Sequence, residues 1–245
     1  MAEVAARLCV AWAAVTLAVA GCGSDTETTP GTAPAPLQPA VTAPGVATAP
    51  PIADSTALAA ELLTAADLPP GYASLDLPTD PGGAATDDPP ADQSHTDPAE
   101  CAGVLAPIAD QAPGGPAEAG ERFGGPGFSS IDIDAASYPA DSVAAVFDSV
   151  QQLLGRCTAY SGTDADGVTV EYRIADLSGP RVGDSSRSVR VTTMSDGLTL
   201  TSDVVIGVVG STVFQLSATA TSPVDGALLT GLAQTQADRL RGPAQ

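Results

Sequence analysis

The chain has 245 residues and carries 29 acidic side chains against nine basic ones, a net charge of −20, and every one of the nine cations is arginine. This balance excludes nucleic acid as a partner, because such binding rests on basic neutralisation of phosphates. It also excludes adhesion of the folded part to anionic lipid headgroups and suits the solubility of an exported chain.

An apolar run from Leu8 to Ala20 opens the chain and ends in Val19-Ala20-Gly21-Cys22. At about 1.5 Å per helical residue the run covers roughly 20 Å, short of the roughly 30 Å hydrocarbon core, so it reads as a cleaved signal rather than a membrane span. The small residues Ala20 and Gly21 ahead of Cys22 form a lipobox, the pattern a signal peptidase needs to cut before a cysteine that carries diacylglycerol. The amino-terminal stretch departs from the pattern, since its one arginine, Arg7, is offset by Glu3. Residues 1–21 are therefore expected to be a lipoprotein signal peptide and Cys22 the lipidation site. The membrane is then a partner through that anchor, and the rest of the chain sits outside the cytoplasmic membrane. Two acyl chains hold stably where one binds marginally.

Residues 22–52 are Thr, Pro, Ala and Gly with few large apolar side chains, too few to offset chain entropy. They are expected to be a semi-extended tether, at roughly 3 Å per residue where polyproline-like, with threonines open to O-glycosylation.

Residues 53–245 suit one domain. The spacing of Leu58, Leu62 and Leu63 predicts a helix over Asp54–Asp67, ended by Pro69-Pro70-Gly71. Thr79–Thr96 reads as an acidic loop. Pro98–Ala109 reads as a short helix with Cys101, Leu105 and Ile108 inward, interrupted near Pro107, and Pro113–Gly127 as a loop. The period then changes from 3.6 to 2: Ile131 and Ile133 alternate with Asp132 and Asp134 in a strand over Phe128–Ser137. A helix over Pro139–Tyr160 carries Val143, Phe147, Val150 and Leu154 at helical spacing, with Asp141 as N-cap. Strands follow over Val168–Ala175, Arg187–Met194, Leu198–Val209 and Thr212–Thr221, the middle pair joined by the turn Ser195-Asp196-Gly197. Pro223–Leu240 closes the domain as a helix. The fold class is α+β, an antiparallel sheet of about five strands flanked by helices.

Two thiols remain after processing, Cys101 and Cys157, in an oxidising compartment, and they are expected to form a disulfide. Their spacing is unlike Cys-x-x-Cys, so the bond is structural. Catalytic equipment is sparse, and no catalytic residue is assigned. The lone histidine, His95, cannot build a multi-histidine metal site, and Gly127-Phe128-Ser129-Ser130 lacks the closing glycine of a nucleophile elbow. Asp164-Ala165-Asp166-Gly167 fails the register of a calcium loop, because Arg173 stands where a bidentate Glu is needed. Gly124-Gly125-Pro126-Gly127 lacks the Lys-Ser/Thr of a phosphate loop. No metal and no cofactor is expected. Alternation places Asp132, Asp134, Glu171, Arg173 and Arg190 opposite the apolar sets, on a polar sheet face that could meet an anionic or hydroxyl-rich ligand.

Taken together, Leu62-Leu63-Thr64-Ala65-Ala66-Asp67-Leu68-Pro69-Pro70-Gly71-Tyr72, the placement of Cys101 and Cys157, and the closing strands and helix from Ser186 to Leu240 resemble the extracellular sensor domain of the mycobacterial PknH-type receptor kinases. That domain also occurs in actinobacterial lipoproteins, in keeping with a lysine-free composition typical of GC-rich codons. The resemblance covers most of residues 54–241. It implies an antiparallel sheet flanked by helices, a broad cleft, and ligand sensing without catalysis. This chain has one cysteine pair where the kinase domain is stapled twice, and no kinase domain or transmembrane segment through which it could itself signal. The expectation is a non-enzymatic binding module for an envelope ligand or partner protein; the alternative is a scaffold lipoprotein of an envelope complex without a small-molecule ligand.

Overall fold

A computed structural model describes residues 36–47, 49–75 and 92–242. The expected signal peptide, the lipidation site Cys22 and Asp80, Asp87 and Asp88 of the acidic loop lie outside the described residues.

In chain order the elements are α1 (Ser55–Ala60), β1 (Ala73–Ser74), β2 (His95–Asp97), α2 (Ile108–Gln111), β3 (Ala117–Gly124), β4 (Ser130–Ser137), α3 (Val143–Arg156), β5 (Ala159–Thr163), β6 (Thr169–Asp176), β7 (Ser185–Ser195), β8 (Leu198–Val209), β9 (Thr212–Ala220) and α4 (Gly226–Arg241). Short 3-10 helices occupy Ala65–Asp67, Ala99–Leu105 and Pro126–Phe128. The strands form one antiparallel sheet in the order β1-β3-β4-β9-β8-β7-β6-β5-β2.

The sheet thus has nine strands rather than about five. The additional strands are β1, β2, β3 and β5, and their sequences explain why. Strand β3, Ala-Glu-Ala-Gly-Glu-Arg-Phe-Gly, buries only Ala117 and Phe123, so its apolar alternation is too thin to register. It is a strand because all eight of its residues pair with β4. Strands β1, β2 and β5 are two to five residues long and likewise take their hydrogen bonds from neighbours.

The centre of the sheet is buried on both faces. Strand β8 ends in Val-Val-Ile-Gly-Val-Val and is buried from Thr201 to Val209, the continuous apolar run of a strand covered on two sides. Helices α1 and α4 pack Leu58, Leu229 and Leu232 against Ile131, Ile133, Val205, Phe214 and Leu216. Helix α3 packs Val143, Phe147, Val150 and Leu154 against Val189, Val191, Val204, Ile206 and Val213 on the opposite face. The turn between β7 and β8 puts Asp196 and Gly197 at φ 47° and 77°, the pair of left-handed conformations a two-residue hairpin requires.

The helix expected over Asp54–Asp67 is broken. Asp54 caps α1 through the Ala57 amide, at 2.8 Å, but the helix stops at Ala60. The fully buried Gln236 of α4 accepts the Leu63 amide at 2.9 Å and donates to the Glu61 carbonyl at 3.1 Å. A side chain from the other end of the chain thus replaces the helical ladder while Leu62 and Leu63 go into the core. The helix expected over Pro98–Ala109 divides at Pro107, with Val104 inward and Leu105 39% exposed. Helix α3 begins after Ser142, not Asp141.

Disulfide Cys101–Cys157 is present, with Cα atoms 5.6 Å apart. It ties the 3-10 helix Ala99–Leu105 to the end of α3. Residues 36–47 and 49–52, expected as the second half of the spacer, lie along the domain: Leu37, Ala43 and Ala47 pack at the edge of the α3 core and Ile52 at that of the α1 core. Composition predicts that such a segment cannot fold alone; here the domain supplies the other side of each contact.

Candidate functional site

Helices cover the two sheet faces unequally. On the α3 face, α3 lies over the middle of the sheet, and the floor made by β3, β4 and the end of β9 is left to the segment Leu105–Ile108, which overhangs it. The result is a cleft of about 450 Å³, with Leu105 and Pro107 as one wall and Leu75 at the rim. Its floor is Gly120 and Arg122 of β3, Asp132 and Asp134 of β4, and Gln215, Ser217 and Thr219 of β9. The pairings Gly120 to Asp134 to Gln215 and Arg122 to Asp132 to Ser217 put these side chains side by side on one face.

The floor is a connected set of polar groups. Asp134 Oδ1 accepts the Ile108 amide at 2.7 Å, and its Oδ2 meets Gln215 Nε2 at 3.4 Å. Gln215, 2% exposed, also donates to the Ala106 carbonyl at 3.2 Å and accepts from Gln111 Nε2 at 3.1 Å. Asp132 is held by Arg122 Nε and by Ser130 Oγ, the latter at 2.8 Å. Burial pushes the Asp134 carboxyl up to about 7, against the pull of the Ile108 amide and Gln215 and with a further push from the charges of Asp132 and Asp110. Near neutral pH this side chain can therefore donate as well as accept a hydrogen bond.

The residues expected to share one polar face do not. Asp132 and Asp134 line the cleft on the α3 face. Arg190 lies on the α4 face, where its Nε and Nη2 donate to the two carboxylate oxygens of Asp203 at 2.6 and 2.8 Å. Glu171 and Arg173 are on that same α4 face, exposed, 3.7 Å from each other. The physical reason is that both faces carry a core. The apolar partners of Asp132 and Asp134, Ile131 and Ile133, face α4, whereas the apolar neighbours of Arg190, Val189 and Val191, face α3. Alternation separates the two sides of each strand but does not say which side is common to all. Arg122 is not legible from sequence, because the thin apolar alternation of β3 predicts a loop. Gln215, Ser217 and Thr219 had a signal: they alternate with Phe214, Leu216 and Ala218 in the last strand.

The remaining motifs have structural roles. Asp164 Oδ1 accepts the Asp166 and Val168 amides at 3.0 and 2.9 Å, an Asx-type turn into β6. His95 is exposed on the edge strand β2 and touches the Gln93 carbonyl through Nδ1. The Gly-rich segment closes the β3–β4 hairpin: Gly125 donates to the Ser129 carbonyl at 2.8 Å, and a Cβ at Gly125 would stand 2.5 Å from the Tyr72 ring. Phe128 at the tip is 91% exposed. Among the described residues, no group of three or more His, Cys, Asp or Glu is placed to hold a metal ion, and no helix is long and apolar enough to cross a membrane.

No protein-family model matches the chain, and no curated protein does. Among solved structures, the extracellular domain of PknH from Mycobacterium tuberculosis is similar over 79% of this chain and 98% of its own, with a TM-score of 0.57 at 16% identity. An uncharacterised protein from Mycobacterium smegmatis, an Rv0999 ortholog, aligns over 70% of this chain and 93% of its own with a TM-score of 0.33 at 14% identity. The nine-stranded sheet and its flanking helices therefore share the fold of the PknH extracellular domain.

Proposed function

We propose that this protein is a non-catalytic binding module, displayed outside the cytoplasmic membrane on a lipid anchor at Cys22, that takes an envelope ligand into the cleft over β3, β4 and β9. The carrying observation is the cleft itself: about 450 Å³ of space with an amide, two carboxylates, an arginine and two hydroxyls on one floor and apolar side chains at its rim. Such a combination of apolar walls and few convergent polar groups is the usual form of a small-molecule site. Likeness in fold to the extracellular domain of PknH supports an extracytoplasmic setting. A non-catalytic role is supported by the state of the acids, since Asp132 is already engaged by Arg122 and Ser130. The reading needs no cofactor.

Native mass spectrometry of the full-length protein purified from an actinobacterial envelope tests this. A mass retained on the wild type, released on denaturation and absent from Gly120→Leu is expected. A Cβ at Gly120 meets nothing closer than 3.5 Å, so leucine there enters the cleft with little strain. A bare wild-type chain would overturn the reading. The second reading, an accessory lipoprotein that docks on another protein, is favoured by the exposed Phe128 and Leu75 at the hairpin end, 91% and 46% exposed. Cys22→Ser is expected to release the protein from the membrane fraction.

A further inference from the structure

Residues 36–47 and 49–52 are gripped in a way that ordinary packing does not require. The Arg187 guanidinium, 5% exposed, donates to the Gln38 carbonyl at 2.6 Å and to the Pro39 carbonyl at 3.1 Å. Gln151 of α3, 3% exposed, accepts the Val41 amide at 2.7 Å and donates to the Val41 carbonyl at 2.9 Å. Ser185 donates to the Thr42 carbonyl at 3.0 Å, Ser211 to the Ala49 carbonyl at 2.6 Å, and Ser137 accepts the Ile52 amide at 2.9 Å. In every one of these bonds the segment contributes backbone, and the domain contributes a side chain.

Two further observations bear on what the seat is for. The segment carries Pro36, Pro39, Pro44, Pro50 and Pro51, which hold a chain extended before it binds and so lower the entropy lost on docking. Gln38, Pro39 and Val41 also help to line a cavity of about 220 Å³ together with Arg187 and Ser188. Arg187 Nε, on a side chain more than nine-tenths buried, has no hydrogen-bond partner among the described residues. The seat therefore offers one donor that its occupant does not use.

We propose that the seat between α3 and the β6–β7 connection is a receptor site for an extended, proline-rich polypeptide, read through its backbone by Arg187 and Gln151, and that residues 36–52 are its resident ligand. The site is separate from the β3–β4–β9 cleft.

The test uses the full chain with a specific protease site inserted between Ile52 and Ala53, cut after folding. The cut N-terminal fragment is expected to co-elute with the domain, and to be displaced by a fluorescent synthetic peptide of residues 36–52, with circular dichroism unchanged. Arg187→Met is expected to weaken peptide binding at least tenfold, while Gly120→Leu leaves it unaltered, which separates this site from the cleft. The exchange experiment on the wild-type sequence needs no substitution, so a misfolded Arg187 variant does not weaken it. Immediate loss of the fragment on cutting, a fragment that never exchanges with excess peptide, or loss of the domain's ellipticity on exchange would each overturn the proposal.

Discussion

Asp134 accepts the backbone amide of Ile108 at 2.7 Å, so the floor of the cleft holds the overhang that makes it a cleft, aided by Gln215, which donates to the Ala106 carbonyl at 3.2 Å. Pro107 stands just before that amide. It stops the preceding 3-10 helix, leaving the first amide of α2 without a helical partner and free for the carboxylate.

Stability should report on this contact through pH. The Asp134 carboxyl titrates at 3.8 ordinarily and at about 7 in the fold, so between those values the folded chain holds a proton that the unfolded chain has lost. Its contribution is fully present below about pH 4 and is lost as pH rises toward 7. We expect Asp134→Asn to flatten the fall in stability across that window by about 2 kcal/mol. This is half of the full linkage value, because water reaches the open cleft and screens the charge. Urea denaturation of the two proteins at pH 4, 5.5 and 7 checks it; parallel curves would place the carboxyl in a wetter setting.

Arg190 and Asp203 form the bidentate pair on the opposite face, with the Asp203 side chain only 3% exposed. Removing the cation leaves that carboxylate buried and unpaired, so Arg190→Ala should cost about 3 kcal/mol. The double variant Arg190→Met, Asp203→Leu should cost less than the single one, since no charge is left behind. Equal losses in a double-mutant cycle would contradict this account.

Gln236 decides where α1 stops. Gln236→Met keeps the length of the side chain but leaves the Leu63 amide and Glu61 carbonyl without partners, at a cost of about 3 kcal/mol for the two groups. Amide hydrogen exchange at Leu63 should accelerate well beyond what global destabilisation produces.

The Cys101–Cys157 bond closes a sequence separation of 56 residues. Reduction, or Cys101→Ser with Cys157→Ser, should lower stability by about 4 kcal/mol on the chain-entropy account. Urea midpoints with and without dithiothreitol measure it. An unchanged midpoint would mean that the half-cystines stay docked by packing alone.

Alone, the sequence determined the elements whose side chains carry their own period: α3 and α4, the strands β4 and β6 to β9, the turn at Asp196-Gly197 and the pairing of two cysteines. Each of these is a local pattern or a count, and the α+β class follows from their order. What only the tertiary structure decided has the opposite character. Strands β1, β2, β3 and β5 exist because a neighbour offers hydrogen bonds to segments with little apolar surface of their own. The break after Ala60 exists because Gln236, far away in sequence, satisfies the backbone there. Residues 36–47, too poor in apolar side chains to fold alone, lie against the domain because Arg187 and Gln151 take up carbonyls and an amide of Gln38, Pro39 and Val41. The site was half legible for the same reason. Alternation identified Asp132 and Asp134 as polar positions, but a sheet with a core on each face has no single polar side, and only the packing of α3 and α4 says that Arg190 belongs to the other one.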